Sequence, residues 1–267
     1  MPNTKSPVQS IDRVLDLIEA LSSTSRGMTL TELSNSVGLH VSTTHRLLSS
    51  LVSRGYVQKD SETGKYRLTM RLFELGSRVV SGLDLVSVAR PHLEHLADLT
   101  RETIHLVARQ ENNVVYICKE DTQERIIRMA SAVGRSAPMY CTAVGKCILS
   151  HLSPEEVQRI WDSTEIVAYT PHTHTSLQTL IDELKIIKEQ GFAVDNEENE
   201  LGVRCVAAPI FDYSGAPIAA ISISAPAVRF SPQKQAFFSK QVVLCANKIS
   251  ALLGGVSSVS SSSTKEI

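Results

Sequence analysis

Apolar residues in the first third of the chain return at intervals of three and four, the spacing of one buried helix face. Val8, Ile11, Val14, Leu15, Ile18 and Leu21 mark an amphipathic helix over 8–21. Thr29 and Glu32 have capping-box spacing and predict a second helix that buries Leu30, Leu33 and Val37 and stops at Gly38. A third helix, over 41–54, places Val41, Thr44, Leu48, Leu51 and Val52 on one side and Ser42, Thr43, Arg46, Ser49, Ser50 and Ser53 on the other. Gly55-Tyr56-Val57 and Lys65-Tyr66-Arg67-Leu68 then flank a polar loop with a late glycine, the sign of a two-stranded hairpin. Residues 69–82 read as a linker helix whose Leu72, Phe73, Leu75, Val79 and Val80 offer more apolar surface than a linker needs. That excess points to the same helix of a second subunit, or else to packing on the chain's own body.

Beyond residue 83 helical and alternating patterns interleave. Residues 84–100 predict a helix with Pro91 near its start or bending it. Strands follow at 103–109, 114–119 and 125–130, then a loop over 134–142 that runs into a helix starting near Thr142 or Ala143. Ser153-Pro154-Glu155-Glu156 opens a further helix, residues 176–190 form another that ends at Gly191, and 203–211 with 217–225 form a hairpin around Asp212-Tyr213-Ser214-Gly215. A last helix runs from Ser231-Pro232 to about Leu253, and a serine-rich tail over 255–267 reads as disordered. Strands joined mainly by hairpins imply an α+β fold with a central antiparallel sheet. The expected organisation is 8–68, a linker helix over 69–82, a second domain over 83–254, and the tail.

The short hydroxylated face of the third helix, with its one arginine, suits a major groove about 12 Å wide. Ser42, Thr43, Arg46, Ser49 and Ser50 are the expected readers of duplex DNA, and Lys59, Lys65 and Arg67 would line the hairpin and meet phosphates. An ordinary helical hairpin with a solvated serine face is the plainer alternative. The formal net charge of −1 hides +3 over 1–82 and −4 over the remainder, a weakly basic front on an acidic body. Five widely spaced cysteines without CxxC pairing indicate reduced thiols rather than a disulfide framework or a zinc finger. With no signal-like start and no long uncharged apolar run, a cytoplasmic protein that avoids membranes is expected.

A small-molecule site is expected where the 134–142 loop meets its helix, whose free N–H groups would seat a carboxylate while Ala143 and Gly145 let it approach. Alternation places Ile218, Ala220, Ser222 and Ser224 on one face of a strand, where the two hydroxyls either line a polar cavity or bond to neighbouring backbone. Asp195 could accept from a ligand hydroxyl, and Cys205 could face the same cavity. His92 with His95, and His172 with His174, lack a convincing third ligand and read as surface or structural residues, so neither metal nor cofactor is indicated. Cys141 near a helix start could be an acidified nucleophile, which keeps a small-acid enzyme as a competing reading, although no GxSxG, HExxH, Walker or GxGxxG pattern supports one. A third reading has the second domain serving oligomerisation alone.

With PMYCTAVGK at 138–146, DNEENELGVRC at 195–205 and AAISIS at 219–224, the chain resembles the IclR family of bacterial transcriptional regulators from Val8 to Leu253. The resemblance implies a dimeric or tetrameric repressor or activator with a GAF-like second domain that binds a small carboxylate or keto-acid effector. It carries effector contacts to Met129, Ala143, Val144, Asp195, Cys205, Ser222 and Ser224. RLFELGSR at 71–78, RETIHL at 101–106 and YCTAVGK are most similar to the KdgR-type members, which implies 2-keto-3-deoxygluconate or a related sugar acid of hexuronate or pectin catabolism. Another small-acid pathway is the alternative within the family.

Overall fold

The computed structural model describes residues 8–81, 84–121 and 132–255. The strand expected at 125–130, Met129, and the tail from 256 onward lie outside the described residues, as do the side chains of Val79 and Val80. The chain divides into two compact units at Gly82 and Leu83.

The first unit holds α1 (Gln9–Ser22), α2 (Leu30–Ser36), α3 (Val41–Ser53), β1 (Val57–Lys59), β2 (Tyr66–Leu68) and α4 (Met70–Ser81). Both halves of the capping box form, with Thr29 N donating to Glu32 Oε2 at 2.7 Å and Glu32 N donating to Thr29 Oγ1 at 3.3 Å. Gly38, at φ +64°, supplies the left-handed residue that turns the chain from α2 toward α3. Leu17, Leu21, Leu33, Leu48, Leu51, Val57 and Tyr66 close the core.

The buried face of α1 is not the expected one. Leu17 is fully buried, with Val14, Ile18 and Leu21 around it, whereas Val8, Ile11 and Leu15 are exposed. In α3, Thr44, Leu48 and Leu51 fill the contact, and Val41 and Val52, at the margin of that face, are exposed. The Thr44 hydroxyl stays satisfied in the core by donating to His40 O.

The second unit runs α5 (Leu85–Thr100), β3 (Thr103–Gln110), β4 (Asn113–Glu120), β5 (Ser136–Pro138), α6 (Ala143–Leu149), α7 (Pro154–Asp162), α8 (Leu177–Gln190), β6 (Ala193–Asn196), β7 (Val203–Phe211), β8 (Pro217–Pro226) and α9 (Pro232–Leu252). Its six strands form one sheet in the order β5-β4-β3-β8-β7-β6, every neighbouring pair antiparallel. The α+β architecture with a central antiparallel sheet is therefore present. Helices cover both faces: α5 and α9 bring Leu93, Leu96, Phe238, Val242 and Ile249 against Ile104, Leu106, Ile221 and Ile223, while α6, α7 and α8 pack on Val107, Ala207 and Ala220. Two covered faces explain why β7, beyond Arg204 near its start, and β8 are apolar or small on both sides.

Pro91 sits inside α5 rather than at its start. Ser153 caps α7 by accepting from Glu156 N at 3.2 Å, but the Glu156 carboxylate receives Arg109 from β3 in place of a reciprocal cap. Strict alternation in β8 begins only after a register shift beside Ile210, so Ile218 packs with the α5/α9 core instead of sharing a face with Ser222.

Candidate functional site

On the α6 side of the sheet, neighbouring strands bring polar residues into rows. Asp195 on β6 is paired with Cys205 on β7, Cys205 with Ser224 on β8, and Ser224 with Thr103 on β3. The adjacent row pairs Ala207 with Ser222 and Ser222 with His105. Because side chains alternate, both rows point the same way, and with the 135–144 segment they enclose a cavity of about 310 Å³. Ala143, Val144, Asp195, Cys205, Ser222 and Ser224 all line it. Of the seven residues carried over from the family resemblance, only Met129 cannot be placed, since it lies outside the described residues.

The cavity also takes in residues that the pattern of the sequence did not single out, chiefly His105, Tyr116, Arg135, Tyr169, Asn199 and Glu200. His105 Nδ1 lies 3.2 Å from Ser224 Oγ and 3.5 Å from Ser222 Oγ, and its ring packs edge-on against Tyr116. A histidine between Ile104 and Leu106, on the strand face opposite to theirs, was the available signal. Burial, with the Glu198 charge next, raises Asp195 to about 7, although its Oδ1 accepts from Glu198 N at 2.7 Å. Burial likewise raises the Tyr116 phenol and the Cys205 thiol well above their ordinary values.

Two expectations at the start of α6 need correction. Gly145 does not border the cavity: an added Cβ would lie 2.3 Å from Met139 Cα, so glycine there lets the loop cross the helix closely. Its N–H is already taken by Thr142 Oγ1 at 3.2 Å, which leaves less of the helix start for a ligand. Cys141 is no acidified nucleophile; it is fully buried, and burial with nearby Asp195 and Glu198 pushes its thiol up to about 12.

In the first unit, Ser42, Arg46, Ser49 and Ser50 stand exposed along α3 and Thr43 is half-buried. Ser49 and Ser50 donate their hydroxyl protons to His45 O and Arg46 O, so both present acceptor oxygens outward. The basic residues of the hairpin do not share one face. Lys59 lies over the Tyr66 ring, 5.5 Å from its centroid, whereas Arg67 pairs with Gln58 on the opposite face and packs where a Cβ on Gly27 would clash with it. Asp60 holds the loop by accepting from Glu62 N and Thr63 N.

Residues 10–61 match the IclR helix-turn-helix domain, and residues 77–251 match the C-terminal domain of bacterial IclR transcriptional regulators. The chain belongs to the IclR family of transcriptional regulators. It is similar to the HTH-type transcriptional regulator KdgR of Escherichia coli K12, with 40% identity over 92% of this chain and 93% of that protein. The E. coli K12 DNA-binding transcriptional repressor YiaJ is 39% identical over 92% of this chain and 88% of its own. The crystal structure of the Agobacterium tumefaciens repressor BlcR superposes with a TM-score of 0.76 at 27% identity, covering 94% of this chain and 99% of that one.

This IclR-family member is accordingly a DNA-binding regulator with a C-terminal effector-type domain, and not an enzyme. No helix among the described residues is long and apolar enough to cross a membrane.

Proposed function

We propose that this regulator is a repressor whose second-unit cavity binds a small carboxylate effector, 2-keto-3-deoxygluconate or a related sugar acid, and that occupancy changes operator affinity. The observation that carries the proposal is the convergence of Ser222, Ser224, His105 and Asp195 on one wall with Arg135 on another. Hydroxyl, imidazole and carboxyl groups suit a polyhydroxylated chain, and among the described cavity-lining residues Arg135 is the permanent cation for a carboxylate. Ala143 and Val144 would set the width beside it. Likeness to KdgR motivates the choice of sugar acid.

On the DNA side, Ser42, Thr43, Arg46, Ser49 and Ser50 would enter the major groove, and Lys59, Lys65 and Arg67 would contact phosphate. A homodimer or homotetramer in the cytoplasm fits the exposed Met70, Phe73 and Leu75 on α4, three apolar side chains along one short helix. Two-fold pairing would match a palindromic operator. The testing experiment is thermal unfolding against a panel of sugar acids and keto acids, followed by operator titration with and without the hit. A stabilising sugar acid that shifts operator affinity and is lost in Ser222→Val supports the proposal; stabilisation by another acid alone replaces the signal, and an unchanged operator affinity removes the coupling.

A further inference from the structure

His174, Glu183 and Glu198 come together around Lys146 of α6. Each offers one ligand atom within 4.8 Å of the others, and His174 Nε2 lies 2.5 Å from Glu183 Oε2 and 3.7 Å from Glu198 Oε2. Lys146, fully buried, donates to the other oxygen of each carboxylate, at 2.8 Å to Glu183 and 2.6 Å to Glu198. The two Oε1 atoms are thus used by the ammonium, and the two Oε2 atoms face the imidazole. Glu198 is only 5% exposed, and its Oε2 has no hydrogen-bond partner. A buried carboxylate oxygen in that state calls for a cation or donor.

The tautomer of His174 sharpens the point. Thr179 Oγ1 donates its proton to Ser176 O at 2.8 Å, so at its 3.2 Å contact with His174 Nδ1 it can only accept. Nδ1 therefore carries hydrogen, and Nε2 is the ring atom turned toward the Glu183 and Glu198 Oε2 atoms. Either a proton on Nε2, hydrogen-bonded to Glu183 Oε2, or a metal ion would hold these three atoms together. The geometry points to a binding site for one borderline divalent cation of the Zn²⁺ type, held by His174 Nε2, Glu183 Oε2 and Glu198 Oε2.

One nitrogen with two carboxylate oxygens suits Zn²⁺ better than the all-oxygen preferences of Ca²⁺ or Mg²⁺. Bonds of about 2.1 Å in tetrahedral geometry need ligand atoms roughly 3.4 Å apart. The 3.7 Å separation is already close to that, and the 2.5 Å pair would open by about an ångström. A second shell stands in place. Thr179 orients the imidazole, Lys146 holds both carboxylates, and Thr170 and Thr173 tie the histidine loop to Glu197 O and Glu198 O at 2.6 Å each. Glu198 N also bonds Asp195, so the site and the sheet cavity share a loop.

The test uses the full-length protein freed of metal by a chelator, titrated with Zn²⁺ against a chromophoric competitor and separately with Co²⁺ followed by visible absorption. Neither DNA nor effector is present, so the outcome is independent of the sugar-acid proposal. One Zn²⁺ per chain is expected, lost in His174→Ala, weakened roughly 10- to 100-fold in Thr179→Val, and giving a Co²⁺ spectrum without thiolate charge transfer. Thr179 is exposed, so its variant decides the matter if His174→Ala fails to fold. Absence of stoichiometric binding, binding unchanged in Thr179→Val, or a thiolate band would overturn the site and leave His174 as a hydrogen-bond partner of Glu183 alone.

Discussion

The Lys146 ammonium, on a side chain with no exposed surface, sits 2.6 Å from Glu198 Oε1. Burial disfavours its charge, yet the two carboxylates outweigh that and raise the lysine above its ordinary value. Lys146→Met should destabilise the second unit by about 3–5 kcal/mol, since it strands two acidic groups beside an apolar helix. Adding Glu183→Gln and Glu198→Gln to Lys146→Met should recover a large part of that loss. Urea unfolding of the single and triple variants checks both expectations.

Asp195 gives a pH signature. Folding raises it from 3.8 to about 7, so the folded chain binds the proton more tightly than the unfolded chain. Its contribution to stability is fully present below the unfolded value and is lost as pH climbs through the folded value. Between about pH 4 and 7 the wild type should lose stability relative to Asp195→Asn, which keeps the acceptor for Glu198 N but cannot ionise. Urea midpoints of the two proteins across that range should diverge; parallel curves would show that Asp195 is ionised throughout.

Arg46 is exposed near the middle of α3, opposite the buried Leu48 and Leu51. If it reads a base edge, Arg46→Ala should weaken operator binding by about 1–3 kcal/mol with selectivity relaxed at one position. A uniform loss across sequences with a shallower salt dependence would place it on phosphate instead. Operator titrations at two salt concentrations separate the cases.

Gly145→Ala should lower stability by about 1–3 kcal/mol, because the new methyl meets Met139 backbone at 2.3 Å and backbone yields less readily than a side-chain tip. The measurement is the thermal midpoint against wild type. An unchanged midpoint would mean that the 138–142 loop rides freely over α6.

Wherever a residue's chemistry and its local period agreed, the sequence was readable. Thr29 with Glu32, Gly38, Ser231-Pro232 and the 203–211/217–225 hairpin each state their role within a few positions, and the structure places them so. Ala143, Val144, Asp195, Cys205, Ser222 and Ser224 meet in one cavity as expected. What escaped depends on long-range geometry. β5 and β6, at three and four residues, are too short to display alternation. Leu17 was hidden because Val8, Ile11, Leu15 and Ile18 make an equally regular stripe, and only packing in the first unit decides which side is buried. His174 drew attention for its neighbour His172, while its partners Glu183 and Glu198 lie on α8 and in the loop after β6.

Every one of the seven residues of α6 is buried, and each is committed: Ala143 and Val144 to the cavity, Gly145 to Met139, Lys146 to its carboxylates, Cys147 to Ala207 O, and Ile148 and Leu149 to the core. Arg135, Tyr169 and Glu200, by contrast, reach the same cavity from exposed positions. Substitutions at the rim would therefore reshape the mouth of the cavity without disturbing the folded core, whereas a change on α6 alters cavity and core together.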